Sequence, residues 1–191
     1  MKDIIIQIFQ ESADLKLSFI RENADKLVKV VEVVADAITH GNKIILFGNG
    51  GSAADSQHIA AEFVNRFLIE RRPLPALALT TDTSIMTSIG NDRDFSDIFS
   101  RQIMALGKRD DVAIGLTTSG NSDNVIRAFQ VGKEMGIKTV GITGKDGGEV
   151  INMVDFSLNV SSDSTPRIQE VHITIGHIIC EMVDTVLFGK K

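Results

Sequence analysis

A histidine and a glutamate four residues apart on one helix, just behind a glycine-rich loop, can carry acid–base chemistry or hold a metal. Residues 47–62, FGNGGSAADSQHIAAE, contain that arrangement. His58 and Glu62 fall one turn apart on one helical face, together with Asp55. Such a pair is commonly no more than a surface interaction, but its place behind a loop suited to anions gives it a second reading. In GNGGS the glycines let backbone N–H groups converge, and Ser52 is placed to cap the next helix with Asp55 at the capping-box position. A second loop, TTSGNS, offers the hydroxyls of Thr117, Thr118, Ser119 and Ser122 around another helix start. Either loop alone could merely join a strand to a helix. Two of them at the strand ends of one sheet make a site for a dianionic phosphate held by neutral donors.

A further set of groups lies in RIQEVHITIGHIICEMV (167–183), an almost wholly apolar helical stretch that nevertheless contains Gln169, His172 and His177. At 3.6 residues per turn the two histidines point about 140° apart, so one is expected to serve a site and the other the core or an interface. A satisfied core histidine and a functional one are both open readings of His177 on this pattern. Asn91-Asp92 in SIGNDRDF is ordinary turn chemistry by spacing alone.

The elements that must carry these groups alternate. Apolar spacing predicts two leading helices over 3–22 and 24–40, and Gly41-Asn42 stops the second. Short apolar runs predict five strands at 43–48, 75–79, 112–116, 138–142 and 156–160. Helices are expected over about 52–68, 83–105, 122–136 and from Pro166 to about Leu187. That alternation predicts a three-layer α/β sandwich around a parallel sheet, one domain over 1–191 with leading helices over 1–40 and the α/β core over 41–191. Ile4, Ile6 and Ile8 add apolar surface outside the main stripe of the first helix, which predicts packing against another copy of the chain.

The composition narrows the function classes. A net charge of −5 and the absence of Trp and Tyr disfavour binding to nucleic acid or an anionic membrane, which draw on cationic and stacking surfaces. MKDIIIQIFQ breaks its apolar run with Asp3, Gln7 and Gln10, so neither a signal peptide nor a membrane span is expected there, and the expected compartment is a reducing cytoplasm. The single cysteine, Cys180, reads as a small buried thiol. GNGGSA also fits the relaxed dinucleotide pattern, but the acidic residue that should follow is displaced to Asp82, and no Gly-Lys-Ser/Thr is present.

FGNGGSAADSQHIAAE, TTSGNS and RIQEVHITIGH together resemble the sugar isomerase (SIS) domain family, and within it the phosphoheptose isomerases, over nearly the whole chain. The resemblance implies a flavodoxin-like SIS fold and interconversion of sedoheptulose 7-phosphate and D-glycero-D-manno-heptose 7-phosphate. It implies that Asn49, Gly50, Gly51 and Ser52 begin the substrate site, that Thr117, Thr118, Ser119 and Ser122 hold the phosphate, and that Asn91 and Asp92 contact the sugar, against their reading as a turn. It implies Glu62 and His177 as the acid–base pair, and one zinc ion per subunit held by His58, Glu62, Gln169 and His177, with Glu62 and Gln169 also meeting substrate. A homotetramer supplying heptose to bacterial lipopolysaccharide or another surface glycan is implied as well. Where some members carry an acidic residue before Arg167 this chain has Pro166, so no catalytic role is assigned there. Aldose–ketose exchange suits a carboxylate and an imidazole, and histidine, carboxylate and amide ligands suit zinc. The alternatives are a non-catalytic SIS module, either replication-initiator-associating or sugar-phosphate-sensing, which has no need of both Glu62 and His177.

Overall fold

The computed structural model describes residues 1–189. The chain runs α1 (Lys2–Thr39), β1 (Ile44–Gly48), α2 (Gly51–Val64), β2 (Ala76–Ala78), α3 (Thr83–Asp92), α4 (Ser100–Leu106), β3 (Val112–Thr117), α5 (Asp123–Glu134), β4 (Lys138–Gly144), β5 (Phe156–Val160) and α6 (Thr165–Phe188). Short 3-10 turns sit at Phe95–Asp97 and Val150–Asn152. The five strands form one parallel sheet in the order β2-β1-β3-β4-β5, the expected α/β sandwich.

Every residue of β1 and β3 is buried, which is why these strands read as continuous apolar runs. Side chains alternate between two cores. Ile44 and Leu46 face the layer of α1, α2 and α6 with Leu27, Val34, Ile59, Phe63 and Ile175, whereas Ile45 and Phe47 face α4 and α5 with Phe99, Ile103 and Phe129. By length and composition α6 could cross a membrane. Its Ile168, Val171, Ile175, Ile179 and Val183 are instead buried in the first core. Cys180 is buried there too, and burial pushes its thiol up to about 12, so it packs as an apolar group.

The N-terminus corrects the sequence expectation. In place of two helices, α1 is a single helix of 38 residues. The polar run Arg21 to Asp25 interrupts the apolar stripe without a Gly or Pro to interrupt the backbone, and the Asn23 side chain turns inward to donate to the Phe19 carbonyl at 3.0 Å. The N-terminal half of α1 buries nothing before Phe19, leaving Ile4, Ile5, Ile6, Ile8, Phe9 and Leu17 exposed. A second correction concerns α2, which starts at Gly51 with Gly50 as N-cap. Ser52 therefore lies inside the first turn and does not cap it. The helix also ends at Val64, short of the expected Leu68, and Phe67 lies beyond it.

His172 is the histidine of the core. It is fully buried, and its Nε2 donates to the Thr143 carbonyl at 2.9 Å, tying α6 to the end of β4. Burial lowers its pKa to about 4, so the ring is neutral when folded. The unfolded chain binds this proton near pH 6.5 and the folded one only near 4, so stability is full above the unfolded value and falls as pH drops between the two. The shift corresponds to about 3 kcal/mol. His172→Gln keeps an N–H for Thr143 and cannot titrate, so urea titrations between those pH values should show a flatter acid slope than the wild type.

Candidate active site

Between β1 and β3 the chain leaves the sheet in opposite directions: α2 belongs to one core and α5 to the other. This is the topological switch point, where the loops after the two strands splay and leave a crevice. A polar cleft of about 70 Å³ opens there, lined by Asn49, Ser52, Leu116, Thr117, Thr118, Ser122 and Gln169. Thr117 Oγ1 lies 3.2 Å from Ser122 Oγ and 3.5 Å from Ser119 Oγ, and it accepts the Gly120 N–H at 3.2 Å, so the hydroxyls are held as one network. The loop after β4 braces this turn: the Glu149 N–H donates to Asn121 Oδ1 at 2.9 Å, and the Val150 N–H to the Gly120 carbonyl at 3.1 Å. A larger cavity, about 680 Å³, lies toward the opposite ends of the strands among Glu32, Asp36, His40, Asp110 and Lys138. Its carboxylates repel a phosphate and no loop of converging donors faces it, so we place the site at the smaller cleft.

The chemistry-bearing groups come from α2 and α6, which pack side by side. Two glycines permit the approach. A Cβ on Gly51 would occupy the space of the Gln169 amide, and one on Gly176 would stand 2.5 Å from Ile59 Cδ1. The helices therefore close until the Nε2 atoms of His58 and His177 are 3.0 Å apart. Glu62 Oε1 lies 3.4 Å from His58 Nε2. Phe67 stacks on the His177 ring with centroids 5.5 Å apart, fixing its plane. Asp55 completes the cluster: burial pushes its carboxyl upward, against the pull of His58 and His177.

Most of the sequence-predicted residues are brought together. Asn49, Ser52, Thr117, Thr118, Ser122 and Gln169 line the cleft, Gly50 and Gly51 open α2 above it, and Ser119 joins the hydroxyl network. His58, Glu62 and His177 form the adjoining cluster. Asn91 and Asp92 are not brought in. They close α3, a helix with no buried residue, and Asn91 Nδ2 donates to Asp92 Oδ1 at 2.8 Å. They are therefore neither a free-standing turn nor part of this cleft.

Arg71 carried no signal in the sequence, because it stands in the charged run Glu70-Arg71-Arg72, which reads as a solvated loop. Its side chain is 1% exposed and pairs with Asp184 of α6 at 2.7 Å, while its guanidinium donates to the carbonyls of Glu62 and Phe63 at 2.9 Å. It thus satisfies the end of α2 and pins it to α6 beside Glu62. Arg71→Met should cost about 3–5 kcal/mol by leaving Asp184 buried without a partner, and adding Asp184→Leu should recover much of that loss in thermal melts.

The donor set also suits a metal. Two imidazole nitrogens facing each other at 3.0 Å either share one proton or turn both lone pairs to a common cation. As placed, the three groups are joined pairwise through His58, and among the described residues no three His, Cys, Asp or Glu side chains converge on one point. The Glu62 carboxylate makes no hydrogen bond among the described residues, and it already lies 3.4 Å from one of the two imidazoles. Histidine, carboxylate and the Gln169 amide are borderline-to-hard ligands of the kind zinc takes.

Comparison with known proteins gives the family. Residues 7–144 match the SIS domain family. That span contains both loops and Glu62 but stops before Gln169 and His177. Full-length relatives extend beyond it. The chain is 53% identical to the phosphoheptose isomerase of Aquifex aeolicus, with all of both chains covered. It is 51% identical to that of Clostridium acetobutylicum, over 100% of this chain and 98% of the relative. It superposes on the phosphoheptose isomerase structure from Neisseria gonorrhoeae with a TM-score of 0.91 and 40% identity, covering 96% of this chain and 98% of that one. With the switch-point cleft, the α2–α6 cluster and relatives of half-identical sequence along the whole length, the chain belongs to the SIS domain family, among its phosphoheptose isomerases.

Proposed function

We propose that the protein interconverts sedoheptulose 7-phosphate and D-glycero-D-manno-heptose 7-phosphate, an aldose–ketose isomerisation. The observation that carries this reading is the adjacency of two unlike half-sites: a cleft of neutral donors suited to a phosphate, and an acid–base cluster about two to three turns further along the same helix pair. A binding or sensing module has use for the first half only, so the non-catalytic alternatives are not favoured.

In the mechanism we propose, the hydroxyls of Thr117, Ser119 and Ser122 and the N–H groups at the start of α2 hold the phosphate, and Gln169 packs at the junction with the cluster. Glu62 takes the proton from the carbon next to the carbonyl, and the electron pair moves onto the carbonyl oxygen to give an enediolate. His177, with its plane set by Phe67, moves the hydroxyl proton between the two oxygens. The proton held by Glu62 then returns to the neighbouring carbon, so that carbonyl and hydroxyl have exchanged places with no net gain or loss of protons. His58, Glu62, Gln169 and His177 would hold a zinc ion, whose chemistry when bound is polarisation of the substrate oxygens.

The purified protein should convert sedoheptulose 7-phosphate to an aldose phosphate and leave unphosphorylated sedoheptulose untouched. Turnover of both alike would overturn the assignment of the cleft. The exposed apolar half of α1 supports a further part of the proposal, a homotetramer formed through that helix. Analytical ultracentrifugation reading a monomer at micromolar concentration would sink it. We place the enzyme in the cytoplasm, supplying a heptose phosphate for surface-glycan synthesis.

A further inference from the structure

The two phosphate-facing loops are tied to each other by a pair of side chains, one of which lines no part of the cleft. Asn49 Nδ2 donates to Asn124 Oδ1 at 2.9 Å, and Asn124 Nδ2 donates back to Asn49 Oδ1 at 2.9 Å. Asn49 stands in the loop after β1, half-buried at the cleft wall. Asn124 is the second residue of α5, the helix that follows the hydroxyl loop after β3, and is 3% exposed. A closed ring of two amide hydrogen bonds therefore joins the loop after β1 to the first turn of α5, the helix that follows the loop after the adjacent strand β3.

Such a ring has a defined consequence for Asn49. An amide offers two N–H donors and one carbonyl. The ring uses one N–H and one direction of the carbonyl, leaving Asn49 an N–H free to donate into the cleft. Without the partner, the amide could rotate and present its carbonyl to an anionic ligand as readily as its N–H. We propose that Asn124 is a positioning residue that fixes the Asn49 amide as a donor and sets the spacing of the two loops, so that its effect on substrate passes through Asn49. This inference rests on the sugar-phosphate reading of the cleft.

The test is a double-mutant cycle on KM and kcat for sedoheptulose 7-phosphate. Asn124→Leu, close in size and unable to bond, should raise KM about tenfold with kcat within about twofold, the pattern of lost ligand binding. Asn124→Asp should do the same despite its shape, because a carboxylate has no N–H to return to the Asn49 carbonyl. In an Asn49→Ala background, Asn124→Leu should add no further rise, since nothing remains for it to position. Unchanged KM in both single variants would overturn the proposal. So would additive rises in the double variant, or an Asn124→Asp protein that behaves as wild type. If the wild type binds but does not turn over this sugar phosphate, the proposed activity fails while the same cycle, read as calorimetric Kd for sedoheptulose 7-phosphate, still decides the role of Asn124.

Discussion

Glu62→Gln is expected to lower kcat for sedoheptulose 7-phosphate by at least about a thousandfold, toward the upper end of what one general base contributes, while the protein melts as the wild type does. The substitution replaces one oxygen by an NH₂ group of the same size and removes the proposed base. The fold should tolerate it, because the carboxylate is only partly buried and its one close polar neighbour among the described residues is His58, at 3.4 Å. The groups that secure this part of the fold lie elsewhere: the Glu62 carbonyl is held by Arg71, and that bond is untouched by a side-chain change. Near-native turnover in Glu62→Gln would remove the carboxylate from the mechanism. A drop in activity matched by a drop in melting temperature would show a structural role in its place.

How much of this was legible beforehand depended on whether each group's partner was local. The strands read clearly because burial on both faces makes them continuous apolar runs, and Ile44 to Phe47 is such a run. That His172 and His177 face different surroundings followed from helical geometry alone: one ring bonds the Thr143 carbonyl in the core and the other meets His58. The break between the two expected leading helices falls at Asn23, whose side chain satisfies itself on the previous turn and leaves the helix continuous. Ser52 misled because a glycine pair ahead of it already starts the helix. Arg71 and Asn124 were unreadable for a different reason. Their partners, Asp184 and Asn49, are 113 and 75 residues away, and no local pattern encodes a contact that only the packing of α2 on α6, or of β1 beside β3, creates.

That same long-range contact between α2 and α6 underlies the second large effect, removal of metal. Chelator-treated protein should lose most of its turnover and regain it on addition of zinc. The stability readout is independent of activity: zinc that binds the folded chain and not the unfolded one raises the melting temperature, by about 4 kcal/mol of stabilisation at a thousandfold excess over Kd. The wild type should show that rise. His177→Ala should show a much smaller rise, because it removes the proposed ligand that α6 places 3.0 Å from His58 and leaves only His58, Glu62 and the Gln169 amide. His172→Gln should keep the full rise, since His172 is committed to the Thr143 carbonyl on the core side of the same helix. A wild-type melting temperature unmoved by zinc would restrict the cluster to acid–base work. An equal rise in His177→Ala would move the ion away from the α2–α6 junction altogether.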